Sequence, residues 1–71
     1  MIIYTKDSCT YCIQAKMHMQ SKEVEYKEIR IGKHITREEF IQNFPNVRSL
    51  PLIIDNDTVV GGYNQLLEYM P

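Results

Sequence analysis

The chain has 71 residues, 44% of them hydrophobic, and a formal net charge of −1. A chain of this length is expected to form one small domain over residues 1–71. Acidic and basic residues are interspersed, without the basic stripe of a nucleic-acid binder, and no apolar run approaches membrane-spanning length. The amino terminus does not resemble a secretory signal, so we expect a cytoplasmic protein that works in a reducing compartment.

Seven short elements are predicted in chain order. They are a strand at 2–5, a helix at 10–21, a strand at 24–31, a helix from Thr36 to the residue before Pro45, strands at 51–54 and 58–60, and a helix at 63–70. In the second strand the apolar alternation slips after Tyr26, which predicts a bulge or an early strand end. Thr36 and Glu39 match a capping box at the start of the second helix. The apolar stripe of that helix is expected to be Phe40, Ile41 and Phe44.

The order of these elements predicts an α/β fold. The initial strand–helix–strand unit implies a parallel strand pair with a right-handed crossover. The last two strands flank Asp55-Asn56-Asp57 and should form an antiparallel hairpin, because Asn and Asp tolerate positive φ in tight turns. We therefore expect β-α-β-α-β-β-α connectivity and one four-stranded mixed sheet with helices on its faces.

Two cysteines, Cys9 and Cys12, lie where the first strand gives way to the first helix. A disulfide between residues so close in sequence constrains the unfolded chain very little, so a purely stabilising role does not explain the pair well. A sulfur at a helix amino terminus is stabilised as the nucleophilic thiolate. Cys9 is therefore expected to be an exposed attacking thiol. Cys12, one turn further along the helix, is expected to be more buried and to act as the resolving thiol.

Zinc sites use the same cysteine spacing, but a structural zinc ion normally takes four ligands. The other candidates are His18 and His34. His18 would lie about 1.5 helical turns beyond Cys12, which fits a tetrahedral site with Cys9 poorly. The strand–helix–strand context favours redox chemistry. We expect no bound metal and two solvated histidines, with a metal-binding module as the alternative.

Three motifs, in order along the chain, resemble the glutaredoxin family. They are Cys9-Thr10-Tyr11-Cys12, Arg48-Ser49-Leu50-Pro51 and Val60-Gly61-Gly62. The matching family patterns are Cys-Pro-Tyr-Cys, Thr-Val-Pro and Gly-Gly. The resemblance covers nearly the whole chain and implies the thioredoxin-like fold, which the predicted element order fits independently. It also implies a glutathione-dependent thiol–disulfide oxidoreductase without a bound cofactor, for which glutathione is the co-substrate.

The resemblance assigns roles to individual residues. Cys9 and Cys12 would be the catalytic pair. The residues that would bind glutathione are Lys6, Tyr11, Arg48, Leu50, Pro51, Gly62, Tyr63 and Asn64. Lys6 and Arg48 would pair with carboxylates, and Tyr11 would flank the tripeptide. A cis Pro51 would present the Leu50 backbone to an extended substrate.

The start of the last helix would supply free amides from Gly62, Tyr63 and Asn64 to the γ-glutamyl carboxylate. Five of these residues also fit an ordinary role. Lys6 and Arg48 could be solvated charges, Tyr11 could cover the helix start, Pro51 could begin an edge strand, and Gly62 could serve only in the turn between strand and helix. The implied partners are glutathione and disulfide-containing proteins, with ribonucleotide reductase among them. The chain is expected to be a monomer.

Two departures from the family pattern leave alternatives open. Thr10 stands where the family usually has proline, and Asn64-Gln65 stand where it often has Ser-Asp or Asp-Asp. An aspartate there can pair with the glutathione ammonium, whereas neutral amides make weaker hydrogen bonds. One alternative is a thioredoxin-like carrier that a flavoprotein reductase reduces. The alternative of another class is a zinc or iron–sulfur binding module.

Overall fold

The computed structural model describes all of residues 1–71 and contains four strands and three helices. In chain order they are β1 (Ile2–Thr5), α1 (Thr10–Ser21), β2 (Lys27–Arg30), α2 (Arg37–Asn43), β3 (Leu52–Asp55), β4 (Thr58–Gly61) and α3 (Tyr63–Tyr69). The predicted order is confirmed. Apart from β2, each element starts and ends within one residue of its predicted boundary. None of the three helices has the length and apolar character needed to cross a bilayer.

The four strands form one mixed sheet in the order β2-β1-β3-β4. β1 pairs in parallel with β2 and antiparallel with β3, and β3 pairs antiparallel with β4. Asn56, in the hairpin turn between β3 and β4, adopts a left-handed φ of 56°, as its residue type predicted. The predicted α/β architecture is therefore confirmed.

The start of β2 is the one predicted boundary that is wrong. Residues 24–26 lie outside the strand, which begins at Lys27 opposite Ile2. A parallel strand can extend only as far as its neighbour, and β1 itself begins at Ile2. The Val24 amide instead donates to the Met19 carbonyl at the end of α1, and the Val24 side chain packs against the core.

The helices divide between the two faces of the sheet. The main core lies between the sheet and the helices α1 and α3. Its fully buried members are Ile3, Ala15, Met19, Ile53 and Leu66. Side chains alternate along a strand, so Tyr4 points to the opposite face, where its ring lies 5.3 Å from that of Phe40 and 5.2 Å from that of Phe44. α2 therefore covers the other face of the sheet.

α2 begins as its sequence predicted but turns a different face to the sheet. The Thr36 hydroxyl accepts from the Glu39 amide at 3.1 Å, and the Glu39 carboxylate accepts from the Thr36 amide at 3.3 Å, which completes the capping box. Phe40 is buried and Phe44 is half-buried, but 48% of Ile41 is exposed. The prediction that Ile41 belongs to the packed stripe is wrong, because the two phenylalanine rings that meet Tyr4 fill the contact.

Candidate functional site

The cysteine pair sits at the amino-terminal end of α1 and forms a disulfide. Ser8, with a left-handed φ of 56°, turns the chain from β1 toward the helix. Cys9 is the N-cap residue, and its Sγ accepts a hydrogen bond from the Cys12 backbone N–H at 3.2 Å. The sulfur thus takes the place that a serine or aspartate oxygen occupies in most helix caps. The predicted position of Cys9 at the helix amino terminus is confirmed.

Both cysteines are buried when they are joined. Cys9 is 8% exposed and Cys12 is 2% exposed. Cys9 is the more exposed residue of the pair, as expected, but the prediction that it is an exposed residue is wrong. The physical reason is the loop before β3, whose Leu50 carbonyl oxygen lies 3.9 Å from the Cys9 Sγ. The loop before β3 therefore forms one side of the surroundings of the Cys9 sulfur.

The peptide bond between Leu50 and Pro51 is cis, as the resemblance implied. Pro51 is buried, and Leu50 is half-buried beside the disulfide. The Leu50 carbonyl oxygen, which precedes β3, lies 3.9 Å from the Cys9 Sγ. A free backbone carbonyl next to a disulfide can pair with an extended substrate segment, as an added strand would.

An open cleft of about 320 Å³ adjoins this loop. Its lining residues are Tyr11, Ser49, Leu50, Pro51, Gly62, Tyr63, Asn64 and Gln65. They include six of the eight residues that the resemblance assigned to glutathione. Across the cleft, the rings of Tyr11 and Tyr63 lie 5.9 Å apart. No lining side chain carries a charge, so the cleft itself can offer only aromatic surface, backbone groups and neutral amides.

The other two assigned residues, Lys6 and Arg48, line a neighbouring groove of about 450 Å³. Ser49 and Leu50 border both spaces, so the groove continues from the cleft past the loop beside the disulfide. Arg37, the first residue of α2, is a third cation in this groove. The sequence reasoning missed Arg37, because only the packing of α2 against the sheet brings it beside Lys6.

The start of α3 differs from the expectation of free amides. Gly62 is the N-cap residue, and its backbone N–H donates to the Gln65 Oε1 at 3.0 Å. Gly61 has a φ of 119°, and a Cβ there would lie 2.9 Å from the Gln65 Cγ. Glycine thus lets the Gln65 side chain fold back over the strand end. The Gly62 amide is therefore already paired, which corrects the expectation for that residue.

A charged network lies on the other side of the cysteine pair. The Glu28 Oε2 on β2 accepts from the Thr5 hydroxyl at 2.6 Å, from the Lys16 Nζ at 3.2 Å and from the Arg30 guanidinium at 3.3 Å. Arg30 also reaches Asp7 at 3.4 Å. Parallel register places Glu28 opposite Ile3 and Arg30 opposite Thr5, so these side chains share the sheet face that α1 covers. None of these contacts joins residues of one helix, and the sequence reasoning found none of them.

The network holds Glu28 in its ionised form. The hydrogen bond from Thr5, with those from Lys16 and Arg30 and the Lys16 charge, lowers the pKa of Glu28 below its ordinary value of 4.5, although partial burial opposes the shift. A carboxyl whose pKa is lower in the folded state stabilises the fold above its unfolded pKa. That contribution is lost as the pH falls through the folded pKa.

We therefore expect Glu28→Gln to change the pH dependence of the free energy of unfolding. The wild type should exceed the variant most at neutral pH, and the difference should shrink as the pH falls through the folded pKa of Glu28. Urea unfolding of both proteins across the acid range measures this. Glu25→Gln, at an exposed loop carboxyl that makes no side-chain hydrogen bond or ion pair, is the matched control, and its difference from the wild type should change less with pH. A constant difference between wild type and Glu28→Gln at all pH values would contradict the prediction.

The two histidines lie apart from the cysteine pair. His18 contacts the Met70 carbonyl at 2.5 Å, which ties α1 to the end of α3, and the Nδ1 of His34 accepts from the Arg30 amide at 2.9 Å. His34 is exposed as predicted, but the expectation that His18 is a solvated surface group is wrong, because it is half-buried against α3. No group of three or more histidine, cysteine or acidic side chains that could hold a metal ion is formed.

Comparison with known proteins agrees with this geometry. The family model for glutaredoxin matches residues 1–60. Glutaredoxin 1 of Rickettsia felis is 36% identical over 70 residues, which cover 96% of this chain and 69% of that protein. Glutaredoxin 3 of Escherichia coli is 37% identical over 65 residues, which cover 90% and 77%. The crystal structure of glutaredoxin 1 from Francisella tularensis superposes with a TM-score of 0.79 at 26% identity, over 94% of this chain and 86% of that one. The chain, with its cysteine pair at the start of α1, belongs to the glutaredoxin family of thiol–disulfide oxidoreductases.

Proposed function

We propose that Cys9 and Cys12 are the catalytic pair of a glutathione-dependent dithiol glutaredoxin. The observation that carries this proposal is the Cys9–Cys12 disulfide at the helix N-cap, beside the Leu50 carbonyl and the open cleft. The Cys12 amide, which reaches the Cys9 sulfur at 3.2 Å, and the helix dipole favour a Cys9 thiolate once the disulfide is reduced.

The reaction follows from these positions. The Cys9 thiolate attacks a substrate disulfide, one substrate sulfur leaves as a thiolate, and a mixed disulfide with Cys9 forms. Cys12 then loses its proton and attacks the Cys9 Sγ. The bond between Cys9 and the substrate breaks, and the second substrate sulfur leaves with the electron pair. The substrate has gained two electrons and two protons, and the protein carries the Cys9–Cys12 disulfide.

Glutathione is the proposed reductant because the surface beside Cys9 suits a small, extended, zwitterionic peptide. The cleft offers the Leu50 backbone and the Tyr11 and Tyr63 rings, and Lys6 and Arg48 in the adjoining groove suit a carboxylate. Two glutathione molecules would restore the dithiol. Pro51 and Gly62 would complete the binding surface with backbone groups, and Asn64 would add one polar contact.

The absence of charged side chains from the cleft suggests a test of this proposal. Glutathione carries an ammonium group, and the cleft has no carboxylate to meet it. Asn64→Asp places one at the start of α3 and is expected to lower the KM for a glutathione mixed disulfide about two- to five-fold, the range of an exposed ion pair. Asn56→Asp in the hairpin turn adds the same charge away from the cleft and is the control. Turnover coupled to glutathione reductase measures both.

The same assay separates the second candidate function. The second candidate is a thioredoxin-like carrier that a flavoprotein reductase reduces. The cleft favours it because no carboxylate there can pair with the glutathione ammonium. Wild-type turnover with glutathione and none with thioredoxin reductase supports the glutathione proposal. The reverse pattern overturns it and keeps the dithiol chemistry. An anaerobic preparation that is coloured, or that contains zinc or iron, would favour the metal-binding alternative.

Membership of the glutaredoxin family is the basis for proposing the partners and the setting of this chain. Disulfide-bearing proteins, ribonucleotide reductase among them, are the proposed macromolecular substrates, and residues 1–71 are proposed to act as a single monomeric domain in the cytoplasm. Transfer of electrons to purified ribonucleotide reductase, compared between wild type and Cys12→Ser, tests the first point. Sedimentation equilibrium of the reduced protein tests the second.

A further inference from the structure

A small polar pocket borders both cysteines and reaches β2 at Arg30. Its volume is about 140 Å³. Cys12 and Lys16 both line it, and so does Thr5, which binds Glu28. Cys9 and Lys6 line it as well, so the pocket adjoins the proposed substrate surface at those two residues.

Cys12 faces a chemical difficulty that Cys9 does not. It must become a thiolate to attack the mixed disulfide, yet it is 2% exposed, and burial favours the neutral thiol. Its own backbone amide is the one that stabilises the sulfur of Cys9, so that helix-end donor is already used. A stabilising charge for the Cys12 sulfur must therefore come from elsewhere.

Lys16 is placed to supply that charge. It follows Cys12 by four residues on α1, so both side chains project from the same face of the helix. The Lys16 Nζ is held at 3.2 Å from the Glu28 Oε2, and its side chain is only 21% exposed. A lysine held in this way has less freedom to extend into solvent, and it lines the pocket together with Cys12.

With Lys16 itself, three cations and two carboxylates surround the pocket, which leaves one net positive charge. Lys6, Lys16 and Arg30 line it from the loop after β1, from α1 and from β2, and Asp7 is the one acidic residue in the lining. Asp7 is 84% exposed and is paired with Arg30 at 3.4 Å. Glu28 lies behind the lining and is shared among Thr5, Lys16 and Arg30.

We infer that Lys16, held by Glu28, is a positioning residue for the resolving step and that its ammonium favours the thiolate form of Cys12. In that step the Cys12 proton passes to solvent and the Cys12 thiolate attacks the Cys9 Sγ. The bond between Cys9 and the substrate sulfur breaks, and that sulfur leaves with the electron pair. The inference rests on the dithiol chemistry proposed above but not on glutathione as the reductant.

Titration of Cys12 alone tests the inference. In a Cys9→Ser background Cys12 is the only thiol, and its thiolate is followed by ultraviolet absorbance as the pH rises. Adding Lys16→Met is expected to raise the titration midpoint of Cys12 by about one pH unit, the shift that one nearby charge produces. Lys16→Arg keeps the charge and should keep the midpoint. Lys22→Met removes a lysine from the far end of α1, about 15 Å along the helix axis, where screening is nearly complete. It should leave the midpoint unchanged.

A kinetic measurement in the protein with both cysteines gives a second readout. A midpoint one unit higher lowers the thiolate fraction about ten-fold but makes each thiolate more nucleophilic, so resolution should slow about three-fold. The pH profile of protein-disulfide reduction should move upward by the same unit. Lys16→Gln repeats the test should Lys16→Met fail to fold.

The outcomes are distinct. A raised midpoint in Lys16→Met that Lys16→Arg restores supports the inference. A midpoint that stays at the wild-type value, or one that Lys16→Met and Lys16→Arg raise equally, overturns it. The titration uses no glutathione, so its failure is distinguishable from failure of the glutathione proposal.

Discussion

Replacing Cys9 with serine is expected to reduce all thiol–disulfide exchange to background. Replacing Cys12 is expected to abolish only the reduction of protein disulfides. Cys9 carries the N-cap position, the amide contact and the greater access to substrate. Cys12→Ser should still remove glutathione from a mixed disulfide, because a second glutathione can release Cys9. It should fail to reduce protein disulfides, because nothing within the molecule then displaces the substrate from Cys9.

Intact-mass measurement makes this prediction quantitative. Cys12→Ser incubated with a protein disulfide should accumulate one covalent adduct at Cys9, and Cys9→Ser should form none. Both variants should keep the fold, because a disulfide that closes so short a loop stabilises a chain little. Equal loss of both activities in Cys12→Ser would contradict the assigned roles, and so would an adduct on Cys12.

Replacing Ile53 with alanine is expected to have the largest effect on stability. Ile53 lies on β3 in the middle of the sheet, is 0% exposed and belongs to the core cluster with Ile3 and Leu66. Truncation of a fully buried isoleucine costs about 2–5 kcal/mol. A domain of this length has a free energy of unfolding of only about 4–10 kcal/mol. The variant should therefore melt well below the wild type, by about 4–8 °C for each kcal/mol lost.

Ile41→Ala is the matched control for this prediction. Ile41 is 48% exposed on α2, and alanine favours a helix more than isoleucine does. Its free energy of unfolding should stay within about 1 kcal/mol of the wild type. Thermal and urea unfolding of both variants measure the difference. Similar losses in Ile53→Ala and Ile41→Ala would mean that the core does not lie where the structure places it.

The elements that could be predicted from the sequence depend on nearby residues. The capping box of Thr36 and Glu39 and the turn at Asn56 each satisfy backbone groups within a few positions along the chain. The capping box and the turn can therefore be predicted without knowledge of the fold. The strand–helix–strand start and the final hairpin then leave few ways to order the sheet. The approximate extents of six of the seven elements follow from such local signals, and β2 is the exception because its length depends on its partner strand.

The candidate site was predictable only in part. The cysteine spacing and its place at a helix start indicated the redox pair, and the resemblance named most of the cleft. The pairing of the Gly62 amide with Gln65 was not foreseen. Nor was the presence of Arg37 beside Lys6, since that depends on how α2 packs on the sheet.

The sequence by itself determined that Cys9 and Cys12 stand together at the start of a helix, because their spacing and the elements around them are local properties. Only the tertiary structure decided how the two sulfurs differ. The loop before β3 covers Cys9 with the Leu50 carbonyl, and the register of β1 and β2 places Glu28 where it pairs with Lys16, which lines the same pocket as Cys12. Residues this far apart in the chain meet only through the pairing of strands and the packing of helices on the sheet.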